Sequence, residues 1–560
     1  MSRKTLSVAL VTVLGTTLLV PGVSLANQGP TIEKEGKQNL NQSSDKGHPV
    51  FTWDQPGPTS PVLHQGSIRG AGMREAPLNE IDSILNSAIQ EQVMPGAVAF
   101  VARRGHVVKK EAYGYAVQYK DDAFTQVDDP IPMSEDTIFD LASISKLFTT
   151  TAAMKLYEQG KFELDDPVAK YIPEFAANGK ESVTIEQLMT HTSGFKPWIP
   201  LYTVEGTRED RLQYVFQYPL QDEPGAEYTY SDLNMITLGA LIERLSGMGL
   251  DEFVKKEITE PLGMDDTMYN PPARLKDRIA ATEYQPWTNR GLVWGEVHDE
   301  SAWSLDGVAG HAGVFSTASD LAKFAHMFLM EGKYGGTRIL KPETIQLLTE
   351  NRIPQFPGDD HGLGWELQQG WFMDALSERT TLGHTGYTGT SIVVSPTNQT
   401  IAILMTNRVH PTRNTVSTSP TRREFARKVA DAIPVEMDEK GEAWFAGYGS
   451  NQTNQLIAEL SLEEKSTLSF ETWYKVEEGY DKGIVEYSKD GEDWIEAAMV
   501  TGSSEEWETL DVELPADTNF VRFTYETDGS VNNRGWYVDD IKVNGSSITF
   551  TSNEWVERSY

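Results

Sequence analysis

The chain has 560 residues, 39% of them hydrophobic and 10% aromatic, which is material for two or three cores rather than one. A formal net charge of −34 excludes the Lys and Arg patches that nucleic-acid phosphates demand, and it disfavours docking on anionic membranes. With no cysteine, disulfides, thiolate metal sites and a cysteine nucleophile are all excluded.

In chain order, Arg3 and Lys4 precede an apolar run from Leu6 to Val20, followed by Ser24-Leu25-Ala26. This predicts a signal peptide over residues 1–26, cleaved after Ala26, and hence a secreted, extracellular protein. The run is short for a bilayer span and no later stretch reaches 18 apolar residues, so no stable membrane insertion is expected. Residues 27–74, rich in Asn, Gln, Ser, Gly and Pro, read as a flexible leader. Helical periodicity begins at Leu78, with Ile81, Ile84, Leu85, Ala88 and Ile89 on one face. The segment "GAVAFVARRGHVVKKEAYGYA" predicts two strands turning at Arg104-Gly105. Residues 139–270 are mainly helical, strands return at 390–407, and a helix follows from about Thr421 to Ala432. The expected domain, 75–436, is α+β: an antiparallel sheet built from both ends of the segment, flanked by helices and carrying a helical subdomain.

The chemistry-bearing stretch is "FDLASISKLFTTTAAMKLYEQGKF". A serine hydroxyl needs a base before it attacks, and residues three apart share a helix face, so Ser143 with Lys146 is the candidate pair and Ser145 points elsewhere. A helix starting near Ser143 places Lys146 in its first turn, where the dipole lowers an ammonium pKa and favours a neutral amine. The same spacing at Ser43 and Lys46 in the leader carries no meaning. Downstream, "YTYSDLNM" offers Tyr230 and Asp232 ahead of an apolar helix, and "LGHTGYTGTSIVV" offers His384, Thr385 and Gly386 leading into a strand.

Ser-x-x-Lys, a polar triplet and a strand ending in x-Thr-Gly are the motif set of penicillin-recognising enzymes. Residues 75–435 resemble the serine β-lactamase-related family, in its class C and DD-peptidase branch. The resemblance rests on "LASISKLFTTTAAMKLYEQGKFELDDPVAKYIPEF", "TIEQLMTHTSGF", "PGAEYTYSDLNMITLGALIE", "GHAGVFSTASDLAKF" and "GHTGYTGTSIVV". It implies Ser143 as nucleophile, Lys146 and Tyr230 as proton carriers, and an oxyanion hole from the N–H groups of Ser143 and Tyr387. His384 stands where many relatives have lysine. It is expected to donate to a substrate carboxylate or to help Tyr230, with a charge that varies near neutral pH. Asp232 replaces the usual asparagine and can only accept, which favours a substrate donor over a β-lactam carbonyl. Thr385 and Gly386 are expected to bind substrate, as are His298 and His311 in "WGEVHDESAWSLDGVAGHAGVFST". That wording resembles N-acetylmuramyl-L-alanine amidase-like members. His191 reads as a structural turn residue, and His361 as a neighbour of the cleft. Catalysis is expected to need no metal or other cofactor. The partner is a small molecule or a muropeptide; alternatives are a D-alanyl-D-alanine carboxypeptidase, penicillin-binding protein or β-lactamase, a carboxylesterase, or an inactive wall-fragment binder.

Residues 451–560 hold 24 Asp or Glu against 8 Lys or Arg, nearly half the charge surplus in a fifth of the chain. Short alternating strands between Asp-Gly turns predict an all-β sandwich over 445–560. "LSFETWYKVEEGYDKGIVEYSKDGEDW" and "RGWYVDDIKV" resemble the MAM-like jelly-roll module of immune inhibitor A. The resemblance implies cell-surface or wall contact, and structural calcium near Glu477, Glu478, Asp481, Asp539 and Asp540. Trp473, Trp494, Trp507 and Trp536 read as sandwich core.

Overall fold

Arg104 and Gly105 both adopt positive φ, 55° and 82°, the geometry that lets a two-residue turn join right-twisted strands. They connect Gly96–Arg103 to His106–Tyr119, as the sequence predicts. The computed structural model describes residues 56–435, 441–447, 449–504, 506–529 and 531–559. The expected signal peptide and residues 27–55 of the leader lie outside them.

Gly96–Arg103 pairs antiparallel with Thr400–Thr406, Ala97 opposite Thr406 and Arg103 opposite Thr400. Ser391–Ser395, Leu382–Thr385 and Glu366–Leu367 continue the sheet. Strands from the two ends of the segment thus close on each other around a mainly helical insertion, which is the expected α+β arrangement. Side chains of Gly96–Arg103 alternate between two cores. Val98, Phe100 and Ala102 enter one; Ala97, Ala99 and Val101 enter the other. On the second face lie Glu75–Gln90, through Leu78, Ile81, Leu85 and Ala88, and Ser419–Asp431, through Phe425 and Val429. On the first lie Ser145–Glu158 and Ala318–Leu329, whose Phe148 and Phe324 stack at 4.4 Å. Arg208–Gln217 and Asp232–Ser246 extend that core as the helical subdomain.

The leader boundary at 74 needs correction. His64–Gln65 adds a parallel strand beside His106 and Val107, so the sheet is mixed at this edge. Gly57 N–H donates to the Gly70 carbonyl at 2.7 Å, and Ala71 and Met73 are buried. Composition hid this strap because backbone bonds and close approach hold most of it, and its buried apolar residues, Ala71 and Met73, are few. A Cβ on Gly66 would stand 2.6 Å from the His106 ring.

Past Ala443, two antiparallel sheets form. One orders strands 508–514, 466–475, 535–543, 443–445 and 556–558; the other orders 453–459, 520–526, 482–488 and 494–500. They share a core containing Leu456, Phe470, Phe523 and Trp536. Of the four tryptophans expected in the core, only Trp536 is fully buried. Trp473 and Trp507 are partly buried, and Trp494 lies under the Arg522 guanidinium at 4.1 Å. The sandwich meets the hydrolase fold through Lys475–Glu378 at 3.1 Å, Arg558–Asp431 at 2.7 Å, and Arg534 on the Ile433 carbonyl. Among the described residues no helix is long and apolar enough to cross a membrane.

Phe148 is fully buried against Phe324. Phe148→Ala is expected to cost the hydrolase fold about 3–5 kcal/mol, read as a lower urea midpoint. An unchanged midpoint would mean the two helices are not held by this stack.

Candidate active site

The candidate nucleophile is delivered by a strained turn. Asp140, nearly inaccessible, accepts the Ala142 N–H at 2.8 Å and the His298 N–H at 2.6 Å. Ala142 is held at φ +47°, a conformation that costs a non-glycine residue about 1–3 kcal/mol. Ser143 follows in the short 3-10 segment Ala142–Ile144, and the helix Ser145–Glu158 begins after it. Ser145 does point elsewhere: its Oγ accepts the Val314 N–H at 3.0 Å and is buried.

Lys146 is fully buried. Its Nζ donates to Ser143 Oγ at 2.9 Å, Asp232 Oδ1 at 2.9 Å and the His311 carbonyl at 3.3 Å. Three acceptors match the three protons of an ammonium, which has no lone pair to accept with. Burial alone pulls its pKa down, but the Asp232 carboxylate and the Tyr230 phenol outweigh it and hold the lysine above its ordinary value. The expected neutral amine is therefore corrected. The first helical turn does not govern this lysine; a carboxylate at 2.9 Å does. Asp232 is corrected with it, since its first partner is Lys146 rather than substrate, although it also lines the cleft.

The loop carrying the third acceptor depends on Gly310. A Cβ there would lie 1.9 Å from the Met235 carbonyl, so only glycine lets residues 307–313 press on Asp232–Ser246 and present the His311 carbonyl to Lys146.

Tyr230 stands with its ring 4.7 Å from Lys146 Nζ, between His191 at 4.7 Å and His384 at 6.0 Å between ring centroids. Burial pushes its phenol pKa up, and the lysine offsets that only in part. His191 accepts the Ser231 N–H at 3.1 Å and faces Asn234 Nδ2 at 3.2 Å, holding the tyrosine's segment in the structural role expected. His384 corrects its expectation. Its Nδ1 donates to the Thr385 carbonyl at 2.8 Å, and burial followed by the Lys146 charge pulls its pKa down to about 3. It is neutral near pH 7, and its buried Nε2, without a partner among the described residues, is an acceptor. It can take a proton-sharing bond but cannot donate to a substrate carboxylate.

Ser143, Tyr230 and Tyr387 line two cavities, of about 630 and 360 Å³. Thr385 and Gly386 line the larger; Asp232, His298 and His311 line the smaller. His298 is more enclosed than a rim residue. It bonds Glu283 at 2.9 Å and stacks on the half-exposed Tyr387 at 5.8 Å. Burial pushes the Asp299 carboxyl up, but the His311 bond at 2.8 Å and the Ala302 N–H donating at 2.7 Å hold it well below the usual range. His361 sits behind the wall, 5.4 Å from His191 and 5.8 Å from Tyr228. Asp232, Asp299 and His311 each place a ligand atom within 4.8 Å of the others, but the cation in that corner is the lysine ammonium.

Sequence reasoning passed over Arg408, Arg422 and Glu366 in the larger cavity and Trp198 in the smaller. The strand Glu366–Leu367 is two residues long, too short for any periodicity, and burial pushes the Glu366 carboxyl up to about 7. Arg422 follows Pro420 in a helix start that reads as ordinary surface, yet it is buried on the Gly386 and Thr390 carbonyls at 3.0 Å each.

A family model described as Beta-lactamase matches residues 81–427. A putative D-alanyl-D-alanine carboxypeptidase of Escherichia coli K12 is 32% identical over 381 residues, covering 62% of this chain and 86% of that protein. Its counterpart in Salmonella agona is 33% identical, covering 62% and 87%. EstCE1, a hydrolase with promiscuous acyltransferase activity, superposes with a TM-score of 0.50 at 25% identity over 64% of this chain and 98% of its own. A penicillin-binding protein homologue from Caulobacter crescentus, at 20% identity and a TM-score of 0.51 over 64% and 98%, shares the fold. The chain belongs to the β-lactamase family of serine hydrolases.

Proposed function

We propose that this chain is an exported hydrolase of amide bonds in peptidoglycan-derived muropeptides, working through an acyl-enzyme on Ser143. The observation that carries the reading is Ser143 Oγ, bonded to Lys146 Nζ at 2.9 Å where the two cavities meet. Export is supported by the signal-like residues 1–26 alone.

Substrate filling both cavities expels water, and in a drier cleft a neutral pair costs less than an ion pair. Lys146 then passes a proton to Asp232 and becomes the amine that receives the Ser143 proton as Oγ attacks the carbonyl carbon. The N–H groups of Ser143 and Tyr387 take the oxyanion, each worth about 3 kcal/mol of barrier. Tyr230, protonated at rest, gives its proton to the departing nitrogen and recovers one from Lys146. Water then repeats the sequence on the ester. Enzymes of this family need no cofactor for catalysis.

Cleavage at D-alanyl-D-alanine is favoured by the carboxypeptidase relatives and by Arg408 and Arg422, whose side chains line the larger cavity. The positive charge they bring to that cavity suits a terminal carboxylate. Cleavage between muramic acid and L-alanine is favoured by Trp198, 43% exposed on the smaller cavity beside Ser143, a surface suited to a sugar ring.

Intact-mass spectrometry after a muropeptide digest separates the readings. A peptidyl adduct with free D-alanine supports the carboxypeptidase, and a muramyl adduct with free peptide supports the amidase. An adduct that persists in Ser143→Ala, or none from any muropeptide, overturns the proposal. The proton path has its own test. Lys146 sheds its proton to Asp232 rather than to solvent, so kcat/KM should stay flat across neutral pH, whereas Asp232→Asn leaves no acceptor and should make kcat/KM rise with pH. A variant whose profile stays as flat as the parent's sinks the role given to Asp232.

A further inference from the structure

Gln369 and Trp371 line the larger cavity, and Trp371 is 40% exposed there. Gln369 precedes, and Trp371 belongs to, the four-residue helix Gly370–Met373, a piece too short to hold its own shape. Its supports come from three sides. Phe372 and Met373 are buried in the core that also holds Phe425 and Val429. Arg423 and Arg427, one turn apart on Ser419–Asp431, donate to the Trp371 carbonyl at 3.3 Å and to Asp374 Oδ2 at 2.8 Å. The third support is Val531, which comes from the sandwich.

A Cβ on Gly370 would stand 2.9 Å from Val531 Cγ1 and 3.1 Å from Cγ2. Gly370 does not use a positive φ, so its missing side chain serves close approach rather than chain reversal. Polar anchors flank the contact: Arg534, three residues on from Val531, holds the Ile433 carbonyl, and Lys475 meets Glu378 at 3.1 Å. The same short helix also presses on the strand Leu382–Thr385, which carries His384 and Thr385. A Cβ on Gly383 would meet Met373 Cε at 2.6 Å and Phe372 Cε2 at 2.8 Å. Val531, the helix and that strand are therefore packed in series. Asp374, just after the helix, is held at φ +40°, a conformation that a non-glycine residue keeps only when its surroundings impose it. A void at Val531 would forfeit dispersion contacts that nothing else supplies, and the helix would settle into it.

We propose that Val531 of the sandwich is a positioning residue for Trp371, and that Trp371, so held, determines which substrates the larger cavity admits. In a cavity lined mostly by polar groups, the indole offers a surface to methyl and methylene groups of the substrate. Its edge contact with the buried Phe372, 4.7 Å between ring centroids, sets the tilt of that surface. The sandwich thereby takes part in specificity without touching substrate. The proposal rests on the reading of this cleft as the place where substrate binds, not on which muropeptide bond is cut.

The test compares three esters on the full chain: p-nitrophenyl acetate, p-nitrophenyl octanoate, enlarged on the acyl side, and resorufin acetate, enlarged on the alcohol side. In Val531→Ala, kcat/KM for at least one enlarged ester should fall about tenfold relative to p-nitrophenyl acetate, the low end of what a methylene-sized change in an apolar pocket is worth. The loss should lie in KM, with kcat held. Gly370→Ala, which pushes the sandwich away instead of leaving a gap, should act in the same direction. Trp371→Ala should lower the same ratio, and adding Val531→Ala to it should lower it no further, as expected of residues acting through one contact. Turnover of p-nitrophenyl acetate at the parent rate reports that the Val531 and Gly370 variants are intact. An unchanged ratio in both of these variants overturns the proposal. So does an equal fall for all three esters, which would mean that the seam only holds the fold together, or full additivity with Trp371→Ala. The muropeptide reading fails separately, when no muropeptide adduct forms although the ester ratio responds.

Discussion

A buried ammonium is the constraint around which the site is organised. Lys146 has no access to water, and an isolated charge in that position costs several kcal/mol unless partners replace the hydration it lost. Each partner comes from a different part of the chain: Ser143 from the strained turn ahead of the helix, Asp232 from the start of a helix 86 residues on, and His311 from a loop 165 residues on. Meeting the need of one side chain therefore fixes three segments relative to each other. Gly310 and Ala142 follow from it. The first brings its loop close enough to deliver a carbonyl, and the second bends the chain so that a hydroxyl reaches the same point.

The charge balance around the lysine sets the rest of the site. One carboxylate answers one ammonium, and the nearby imidazoles stay neutral chiefly because they are buried, with the Lys146 charge adding to the effect at His384 and His191. His384 is pulled down to about 3 and His361 to about 4, with His191 lowered well below its usual value. Neutral rings with defined tautomers are directional supports. His191 grips Ser231 and thereby places Tyr230, and His384 offers a lone pair on the tyrosine's other side. A phenol between two imidazoles and an ammonium is well placed to pass protons, because small shifts in its surroundings change which neighbour it bonds.

How much of this could be read in the sequence depended on how local the physics is. The Ser143–Lys146 spacing, the Arg104–Gly105 turn and the pairing of distant strands rest on periodicity and turn stereochemistry, and these are written in adjacent residues. Tyr230 and His384 were legible because short motifs carry them. The charge states were not legible. The dipole argument for Lys146 was sound for an isolated helix and was overruled by a carboxylate 86 positions away. Likewise His384 could be placed, but its tautomer is set by the Thr385 carbonyl, whose direction only the folded strand supplies. Residues 56–74 escaped notice for a different reason: backbone hydrogen bonds hold most of the segment, and its few buried apolar residues, Ala71 and Met73, make no periodic pattern.

The acidity of the C-terminal domain has a spatial logic that composition alone obscures. Of its few basic residues, Lys475, Arg534 and Arg558 are directed at the hydrolase fold, meeting Glu378, the Ile433 carbonyl and Asp431. The others lie within the sandwich, where Lys465, Lys489, Arg522 and Lys542 pair with its own Glu513, Asp517, Glu486 and Asp540. The three at the seam tie defined points of the two domains together and so help to fix the orientation in which they attach.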